Sequence, residues 1–544
     1  MIPTPFPNQT PPFEGHDLFA VDPALRSAIE RSAAAWAGPQ LADWAATLGA
    51  APTYALADAA NRHPPALRTH DRRGERVDAV EFHPAWHELM RVAMRAGEHC
   101  APWRVPRSGA QVARAAMYYL HAQVENGTQC PLTMTYASSP VLARHAAMLP
   151  DAAAWLSRIH ANDYDARELP VSAKHSALIG MGMTERQGGS DVRANMTRAV
   201  PQSDGAWGIT GHKWFFSAPQ CDAHLVLAQS GRGIGCFLMP RCRPDGTRNA
   251  IRINRLKDKL GNRSNASAEV EFDGALAWAI GDPDRGIATI LEMVQYTRLD
   301  CVIGSAGIMR GALAWALHHA THRIAFGARL VDHPLMRNVL ADLALESEAA
   351  MLLALHLASA CEADAGDAAR AAARIATPAA KYWVCKRALA VTGEAMEVLG
   401  GNGYIEESPL PRFYREAPVN SIWEGSGNVV CNDVGRAAKS RDAADALLAD
   451  LARARGGDAR FDRHLEALGP MLRDAADDSA AGRRLAQSVA LAVSAAAMIR
   501  HGPSFVADAF CATRLAPVGL AGAAFGVLPE SVDMRRIVAR AWPQ

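Results

Sequence analysis

One glutamate, placed between an aromatic ring and a glycine, is the side chain of this sequence best suited to acid–base chemistry. It is Glu424, in the run Ser421-Ile-Trp-Glu-Gly-Ser-Gly-Asn428. A carboxylate held against an aromatic ring in a poorly solvated site has a raised pKa, which suits it to abstract a proton from carbon. The usual alternative for a lone glutamate is a helix cap or an ion pair, and this run alone leaves both interpretations open.

Three further runs could hold a flat, phosphate-bearing cofactor. The polar turn Met183-Thr-Glu-Arg-Gln-Gly-Gly-Ser-Asp191 offers N–H groups and hydroxyls to a heterocycle edge or a phosphate. The run Gly211-His-Lys-Trp-Phe-Phe-Ser217 has three consecutive aromatic rings that could cover a flat ring system. Arg323 has paired guanidinium donors that could meet a phosphate. A β-turn, a packed sheet edge and a solvated helix end are the respective structural alternatives, and each stays open for its run alone.

Hydrophobic periodicity indicates which elements position these runs. Apolar residues recur at helical spacing from about 23 to 163, with a loop predicted at about 63–77. Short apolar runs between turn residues indicate antiparallel strands from about 179 to 283, and Ala/Leu-rich helices follow. We predict an α+β protein of four parts: a helical domain (1–178), a β-domain (179–285), a helical bundle (286–438) and an extra helical domain (439–544).

Composition limits the class of protein. The 544 residues are 49% apolar and 21% charged, which predicts a large buried core and excludes a disordered chain. With 57 basic and 56 acidic residues, the chain cannot bind nucleic acid through bulk charge alone. The ten scattered cysteines form no CxxC pair or Cys/His cluster, so we expect reduced thiols and no metal site. Without a signal-like N-terminus or a long uncharged apolar stretch, we expect a cytoplasmic protein and no membrane span.

Taken together and in order, these runs resemble the acyl-CoA dehydrogenase family over roughly residues 110–438. The polar turn is similar to that family's Thr-Glu-Pro-x-Ala-Gly-Ser-Asp signature, and the aromatic run to its Lys-x-Trp-Ile-Thr strand. Leu399-Gly-Gly-Asn-Gly-Tyr404, followed by the Glu424 run, is similar to its Gly-Gly-x-Gly-Tyr and Tyr-Glu-Gly-Thr motifs. Within the family, the sequence is most similar to the AidB branch, which is associated with the bacterial adaptive response to DNA alkylation. This closer similarity lies in the polar turn, in Asn262-Arg-Ser-Asn-Ala-Ser267 and in the helical tail.

The resemblance implies the acyl-CoA dehydrogenase fold, in which an N-terminal helical domain, an antiparallel β-domain and a C-terminal four-helix bundle bind FAD. Glu424 would remove the α-proton of an acyl thioester, with Arg298 beside it, while hydride passes to the flavin. Arg323 and Phe326 would reach the FAD of a neighbouring subunit, which implies a homo-oligomer, commonly a tetramer. The implied cofactor-binding residues are Met183, Thr184, Ser190, Phe215, Phe216, Ser217, Arg323, Phe326, Gly401, Trp423, Gly425, Ser426 and Asn428.

Departures from the family pattern bear on the substrate. Phe215 stands where the family has tryptophan, and Gln295 stands where an aspartate near the thioester is common. We therefore expect FAD binding to persist and acyl-CoA recognition to differ, with short or branched acyl groups as candidate substrates. An electron-transferring flavoprotein is the electron acceptor that the resemblance implies.

The helical tail raises a second function. In the AidB branch it is associated with double-stranded DNA, but residues 439–544 contain 14 Lys+Arg and 12 Asp+Glu, a poor electrostatic footprint for a duplex. Arginines cluster near 453–463 and 535–540, so a local basic face remains an alternative to a solvated helix surface. Two hypotheses stand: a dehydrogenase, or a DNA-binding protective flavoprotein with little turnover.

Overall fold

The computed structural model describes residues 7–202, 205–474, 479–516 and 523–543 of the chain. They form an α+β structure with helical N- and C-terminal parts and a central sheet, as the sequence predicted. The helices are α1 (Pro23–Glu30), α2 (Gly38–Gly49), α3 (Ala51–Arg62), α4 (Pro84–Ala96), α5 (Ala101–Arg104), α6 (Ala110–His121), α7 (Gln129–Arg144), α8 (Ala152–Ile159), α9 (Gly286–His322), α10 (Pro334–Ser359), α11 (Asp367–Val398), α12 (Gly401–Tyr404), α13 (Leu410–Asn420), α14 (Gly427–Ala438), α15 (Arg441–Ala452), α16 (Ala459–Asp474), α17 (Gly482–His501), α18 (Ser504–Arg514) and α19 (Met534–Ala541).

The strands fall into one large sheet and two hairpins. They are β1 (Ala66–His70), β2 (Arg76–Glu81), β3 (Ile179–Gly182), β4 (Arg198–Pro201), β5 (Trp207–Ser217), β6 (Ala223–Gln229), β7 (Ile234–Pro240), β8 (Ile251–Leu256), β9 (Ser267–Ala279), β10 (Ile324–Ala325) and β11 (Ala328–Arg329).

Contacts divide the chain into two compact units. The bundle unit comprises Met1–Tyr54, Arg107–Val124 and Arg298–Gln544, and the sheet unit comprises Ala55–Pro106 and Glu125–Thr297. The described residues of 439–544, a range predicted as an extra helical domain, thus belong to the same compact unit as the bundle helices. The division into four domains stays a prediction.

The sheet unit contains a seven-stranded sheet in the order β3-β5-β4-β6-β7-β9-β8. Most pairs are antiparallel, as the strand pattern predicted, but β3 and β4 each run parallel to β6. Alternate side chains of these strands bury one apolar cluster that includes Phe216, Val226 and Phe237. This core fixes the strands that carry the polar turn and the aromatic run.

The segment predicted as a loop at 63–77 is instead largely a hairpin, in which β1 pairs antiparallel with β2. The Asp71 carboxylate closes its turn by accepting the N–H groups of Arg73 and Glu75. The guanidinium of Arg76 donates to the carbonyl oxygen of Ile253 at 2.9 Å, so β8 of the large sheet supports the hairpin. The prediction was wrong because both strands are half-exposed and carry charged residues, so their stability depends on this distant contact.

The bundle unit is built around α10 and α11. Helix α11 packs against α13, α14, α15 and α17, and α10 packs against α17 and α19. Buried ion pairs join the tail to α10, because the Arg514 guanidinium of α18 contacts the carboxylates of Asp342 and Glu346. Helix α9 is long and apolar enough to span a membrane, but 94% of its most apolar stretch is buried, as in the core helix of a folded domain.

Candidate active site

The loop between α13 and α14 holds Glu424 in an unusual backbone conformation. The φ angle of Glu424 is 56° and that of Gly425 is 103°, both in the left-handed region. L-residues rarely adopt this region, and glycine enters it without steric cost. Such backbone conformations persist at functional sites only when the surrounding structure holds them.

Two buried cations hold this loop by its consecutive carbonyl groups. Arg298 Nε donates to the carbonyl oxygen of Glu424 at 3.0 Å, and Lys381 Nζ donates to that of Gly425 at 2.8 Å. Arg298 is 6% exposed and Lys381 1% exposed, so little water competes for either bond. Charge-assisted hydrogen bonds are stronger than neutral ones, and these two together fix the two peptide planes that follow Glu424. We call this pair of hydrogen bonds the carbonyl clamp.

A buried carboxylate on α14 orients Arg298. Asp433 accepts from Arg298 Nη1 at 2.5 Å and from both terminal nitrogens of Arg374 at 2.9 and 3.0 Å. Burial works to raise the pKa of Asp433, but the Arg374 hydrogen bonds and the Arg298 charge outweigh it, so the pKa is lowered. Asp433 therefore stays ionised at neutral pH and aligns Arg298 with the loop.

The aromatic neighbour of Glu424 is also held in place. Trp423 Nε1 donates to Asn420 Oδ1 at 2.9 Å, and Asn420 Nδ2 donates to Ser305 Oγ of α9 at 3.1 Å. Asn420 and Ser305 are buried. The loop is thus attached to α9 through Arg298 and through Trp423, which leaves Glu424 as a half-buried carboxylate on a rigid support.

In the sheet unit, a buried ion pair supports the polar turn on its core side. Lys213 Nζ contacts Glu185 Oε1 at 2.8 Å, and neither side chain is exposed. Asn195 Nδ2 donates to the Met183 carbonyl at 3.0 Å, and the Trp214 N–H donates to that of Thr184 at 2.9 Å. These contacts leave Met183 and Thr184 half-buried at the surface.

Ser190, at the end of the same turn, is exposed. The turn therefore presents the three predicted cofactor residues Met183, Thr184 and Ser190 on the surface of the sheet unit, with Glu185 pointing inward.

A β-bulge in β5 determines which aromatic rings face outward. The pairing with β9 shifts register between Lys213 and Phe216, so the usual alternation of sides is broken. Both Lys213 and Phe216 point into the core, whereas Trp214 is half-buried and Phe215 is 51% exposed. Ser217 follows, half-buried and paired with Ser267.

The bulge corrects the prediction for Phe216. Its ring is fully buried and stacks on His224 with 4.1 Å between ring centroids, so it packs in the core and has no surface for a cofactor. Phe215 keeps the exposure that a cofactor wall requires.

Arg323 and Phe326 lie in a tight hairpin between α9 and α10, where β10 pairs with β11. Phe326 has a φ of 49° and is 98% exposed. Arg323 Nη1 donates to the carbonyl of Asn8 at 2.6 Å. For a bulky residue a positive φ is an outlier, so Phe326 combines an exposed apolar ring with a strained backbone.

Gly401, Ser426 and Asn428 complete the predicted set in the bundle unit. A Cβ atom on Gly401 would meet no atom within 4 Å, so space beside its backbone is open. Ser426 precedes the first turn of α14 and is exposed. Asn428 Oδ1 accepts from Arg483 Nε of α17 at 2.8 Å, a link from the tail to this end of the site.

The predicted residues thus fall into two groups, one in each unit. The bundle unit brings Arg298, Trp423, Glu424 and Gly425 into direct contact or into one loop. Sequence reasoning missed Lys381, Asp433 and Arg374, which position the loop without belonging to it. The one signal for Lys381 was a lone lysine among apolar residues of a helix, in Ala379-Ala-Lys-Tyr-Trp383.

Comparison with protein families accounts for most of the chain. Residues 8–166 match the N-terminal domain of the adaptive response protein AidB. Residues 180–275 match the middle domain of acyl-CoA dehydrogenases, and residues 284–439 match the C-terminal domain.

Individual relatives agree with this assignment. The chain is 47% identical to AidB of Escherichia coli (strain K12) over 511 residues, which cover 93% of this chain and 94% of that protein. It is 32% identical over 395 residues to acyl-CoA dehydrogenase family member 11 of Caenorhabditis elegans, covering 68% of this chain and 62% of that protein.

Solved structures share the fold over nearly the full length. C. elegans ACDH-11 in complex with C11-CoA aligns with a TM-score of 0.84 and 26% identity, covering 94% of this chain and 93% of that one. The apo form of Bd2924 aligns with a TM-score of 0.82 and 29% identity, covering 91% of this chain and all of that one.

Proposed function

The chain belongs to the acyl-CoA dehydrogenase family, and from that premise we propose that it is an FAD-dependent dehydrogenase of the AidB type that oxidises an acyl-CoA thioester. The observation that carries the proposal is the carbonyl clamp. A half-buried glutamate, held by two buried cations acting on the backbone beside it, is a positioned base.

Glu424 removes the α-proton of the bound thioester in this proposal. The resulting enolate needs hydrogen-bond donors at the thioester oxygen, because the α-proton of a thioester is a weak acid. The clamp contributes by fixing the two peptide planes that follow Glu424, so the carboxylate needs little reorganisation to reach the proton. Bound FAD would supply the acceptor for the β-hydrogen, which would leave the substrate as hydride.

The residues present fit FAD in each unit. In the sheet unit, the exposed ring of Phe215 lies on the strand that the polar turn contacts, because the Trp214 N–H bonds to Thr184. In the bundle unit, open space beside the backbone of Gly401 would accept a nucleotide close to the main chain. Exposed hydroxyl and amide groups at Ser426 and Asn428 add hydrogen-bonding capacity there.

The exposed hairpin supports an oligomer in which each site includes a neighbouring subunit. We propose that Phe326 and Arg323 contact the FAD bound by a second copy of the chain, within a dimer or tetramer. Burial of the Phe326 ring in that interface would remove a large apolar surface from water. An electron-transferring flavoprotein is the proposed acceptor, and the cytoplasm the proposed location.

An anaerobic titration tests the function. The visible spectrum of the purified protein is recorded while acyl-CoAs of short, branched and medium chain are added one at a time. We expect a flavin absorption band that one of these thioesters bleaches, which would identify the substrate class at the same time. A protein that contains flavin but is bleached by none of the series would contradict the dehydrogenase proposal.

Binding of double-stranded DNA is the second candidate, because the AidB branch that this chain resembles is associated with double-stranded DNA. Residues 8–166 match the N-terminal domain of AidB. Ion pairs within the protein reduce the number of tail arginines that could contact DNA phosphates. Arg460 is paired with Asp458 and Asp508, and Arg540 with Glu348, whereas Arg455 and Arg463 are exposed. Deleting the tail is a poor test, because α17 and α19 pack against α10.

Charge reversal is a cleaner test of DNA binding. If the tail binds a duplex, Arg455→Glu with Arg463→Glu should weaken binding and lower the salt slope by about 0.9 for each phosphate that is no longer neutralised. Arg232→Glu, at a side chain that is 90% exposed in the sheet unit, is the matched control. If the double variant and the Arg232→Glu control bound DNA equally well, Arg455 and Arg463 would be excluded from a DNA site.

A further inference from the structure

A crevice in the bundle unit lies away from Glu424, where the tail helices meet α10 and α11. It encloses about 320 Å³. Since a water molecule takes up about 30 Å³, this volume holds about ten groups of that size. None of the residues that line it belongs to the candidate active site.

The walls of this tail crevice are mainly apolar. Leu352 and Leu355 of α10, Leu447 of α15 and Val493 of α17 line it. Helix α11 contributes small side chains on one face, including Ala373, which keep the space open. An apolar crevice of this size suits an aliphatic chain, because a chain placed there is removed from water at little steric cost.

The tail crevice also carries a cationic cluster. Arg31, Arg453 and Arg500 are among the residues that line it, together with the half-buried Asp450. Asp450 is shared between Arg500 at 3.4 Å, Arg453 at 3.7 Å and the imidazole of His356 at 3.0 Å. This carboxylate therefore has more cationic neighbours than it can neutralise, which leaves an excess of positive charge.

Glu362 is the other carboxylate of the lining. Its Oε1 accepts the main-chain N–H groups of Gln111 and Val112 at 3.0 and 3.1 Å. Burial raises the pKa of Glu362 above its usual value. Oε1 of Glu362 is thus bonded to the main chain of α6, and among the described residues its carboxylate forms no ion pair with these arginines.

The same cationic side chains act on His501. Burial lowers the pKa of His501, and the charges of Arg500, His356, Arg31 and Arg453 lower it further. These positive charges disfavour the protonated form of His501, and by the same reasoning they would favour a bound anion.

We propose that the tail crevice is a binding site for an amphiphilic carboxylate, with its aliphatic chain between α10, α11 and α17 and its head group at Arg453 and Arg500. The apolar lining accounts for the chain, and the unbalanced guanidinium groups account for the anion. Charge-assisted bonds from Arg to a carboxylate supply both energy and orientation. This site is independent of the proposed dehydrogenase function.

Calorimetric titration of the full-length purified protein with decanoate tests the site, with decanol as the neutral probe of equal chain length. We expect decanoate to bind about tenfold more tightly than decanol, the ratio that one charge-assisted hydrogen bond supplies. In Arg453→Gln/Arg500→Gln, decanoate affinity should fall about tenfold and decanol affinity should stay unchanged. Ala373→Phe, which fills the crevice, should abolish binding of both.

Arg473→Gln, an exposed arginine of α16 outside the crevice, is the matched control and should bind decanoate normally. Flavin absorbance is followed in parallel, because a fatty acid in the thioester site would perturb it and one in the tail crevice would not. Absence of decanoate binding, equal affinity for decanol, or unchanged binding by the double arginine variant would each overturn the proposal. If Ala373→Phe does not fold, the double arginine variant still decides.

Discussion

The ammonium group of Lys381 donates to the carbonyl oxygen of Gly425 at 2.8 Å, one peptide beyond the carbonyl of Glu424 that Arg298 holds. Lys381 is 1% exposed, so its ammonium group makes this bond away from water. Burial of a charge is costly unless it is well hydrogen-bonded. A buried ammonium group that donates to this carbonyl holds the loop that carries the candidate base.

Lys381→Met should therefore impair catalysis more than folding. The substitution keeps side-chain length but leaves the Gly425 carbonyl without its charged donor, a loss of about 1.5–3 kcal/mol. If that energy fixes the loop, the rate of flavin reduction by the best acyl-CoA should fall about tenfold or more. Stopped-flow reduction, FAD content and thermal midpoint are measured on the same preparation.

Lys439→Met is the matched control, because Lys439 is exposed and lies outside the loop. It should leave all three measurements unchanged. A normal reduction rate in Lys381→Met would show that Arg298 alone suffices to position Glu424.

Glu424→Gln tests the base itself. Glutamine keeps the shape of the side chain and its backbone hydrogen bond to Arg298, but it cannot accept the α-proton. We expect FAD content to stay at the wild-type level and reduction to slow by about 10²- to 10⁴-fold, the usual contribution of a general base. Bleaching at the wild-type rate would remove Glu424 from that role.

The candidate base could be predicted from sequence because its whole signal is local, in a run of eight residues. The carbonyl clamp could not, since Lys381 meets Gly425 across 44 residues and its acceptor is a main-chain oxygen that no sequence pattern marks. The aromatic run was correctly expected to form a strand. Which rings face outward depends on a bulge that changes the alternation, so Phe216 was assigned to the wrong side.

The α+β fold could be predicted from hydrophobic periodicity and from the resemblance to acyl-CoA dehydrogenases. Short, half-exposed elements could not, because their stability depends on tertiary contacts. The β1–β2 hairpin was missed because its strands carry charges and draw support from Ile253, far along the chain. Helix α9 is also apolar, and 94% of its most apolar stretch is buried in the protein.

Phe326→Asp should disrupt the oligomer. The ring is 98% exposed in the single chain, and a carboxylate in its place would have to be desolvated in any subunit interface. We expect light scattering to show a smaller species than wild type, with FAD lost on gel filtration. Phe326→Leu keeps an apolar side chain and should retain the oligomer. An identical mass for wild type and Phe326→Asp would place the subunit interface elsewhere.

The Glu185–Lys213 ion pair predicts an acid-sensitive polar turn. Burial works to raise the pKa of Glu185, but the charge and hydrogen bond of Lys213 and the Met196 N–H outweigh it, so the pKa lies below the usual 4.5. A carboxylate with a lowered folded-state pKa contributes its full stability above 4.5 and loses it as pH falls through the folded value. Unfolding free energy should therefore drop on acidification below pH 4.5.

Glu185→Gln isolates this pair from the other carboxylates. At neutral pH it leaves Lys213 buried without its counter-charge, which should cost about 3–5 kcal/mol in urea unfolding. The variant should also show a shallower loss of stability below pH 4.5, because the carboxylate that titrates there is gone. Adding Lys213→Met should recover part of the loss, since the uncompensated ammonium is removed. A variant as stable as wild type at pH 7, with the same acid profile, would mean that the pair does not support the turn.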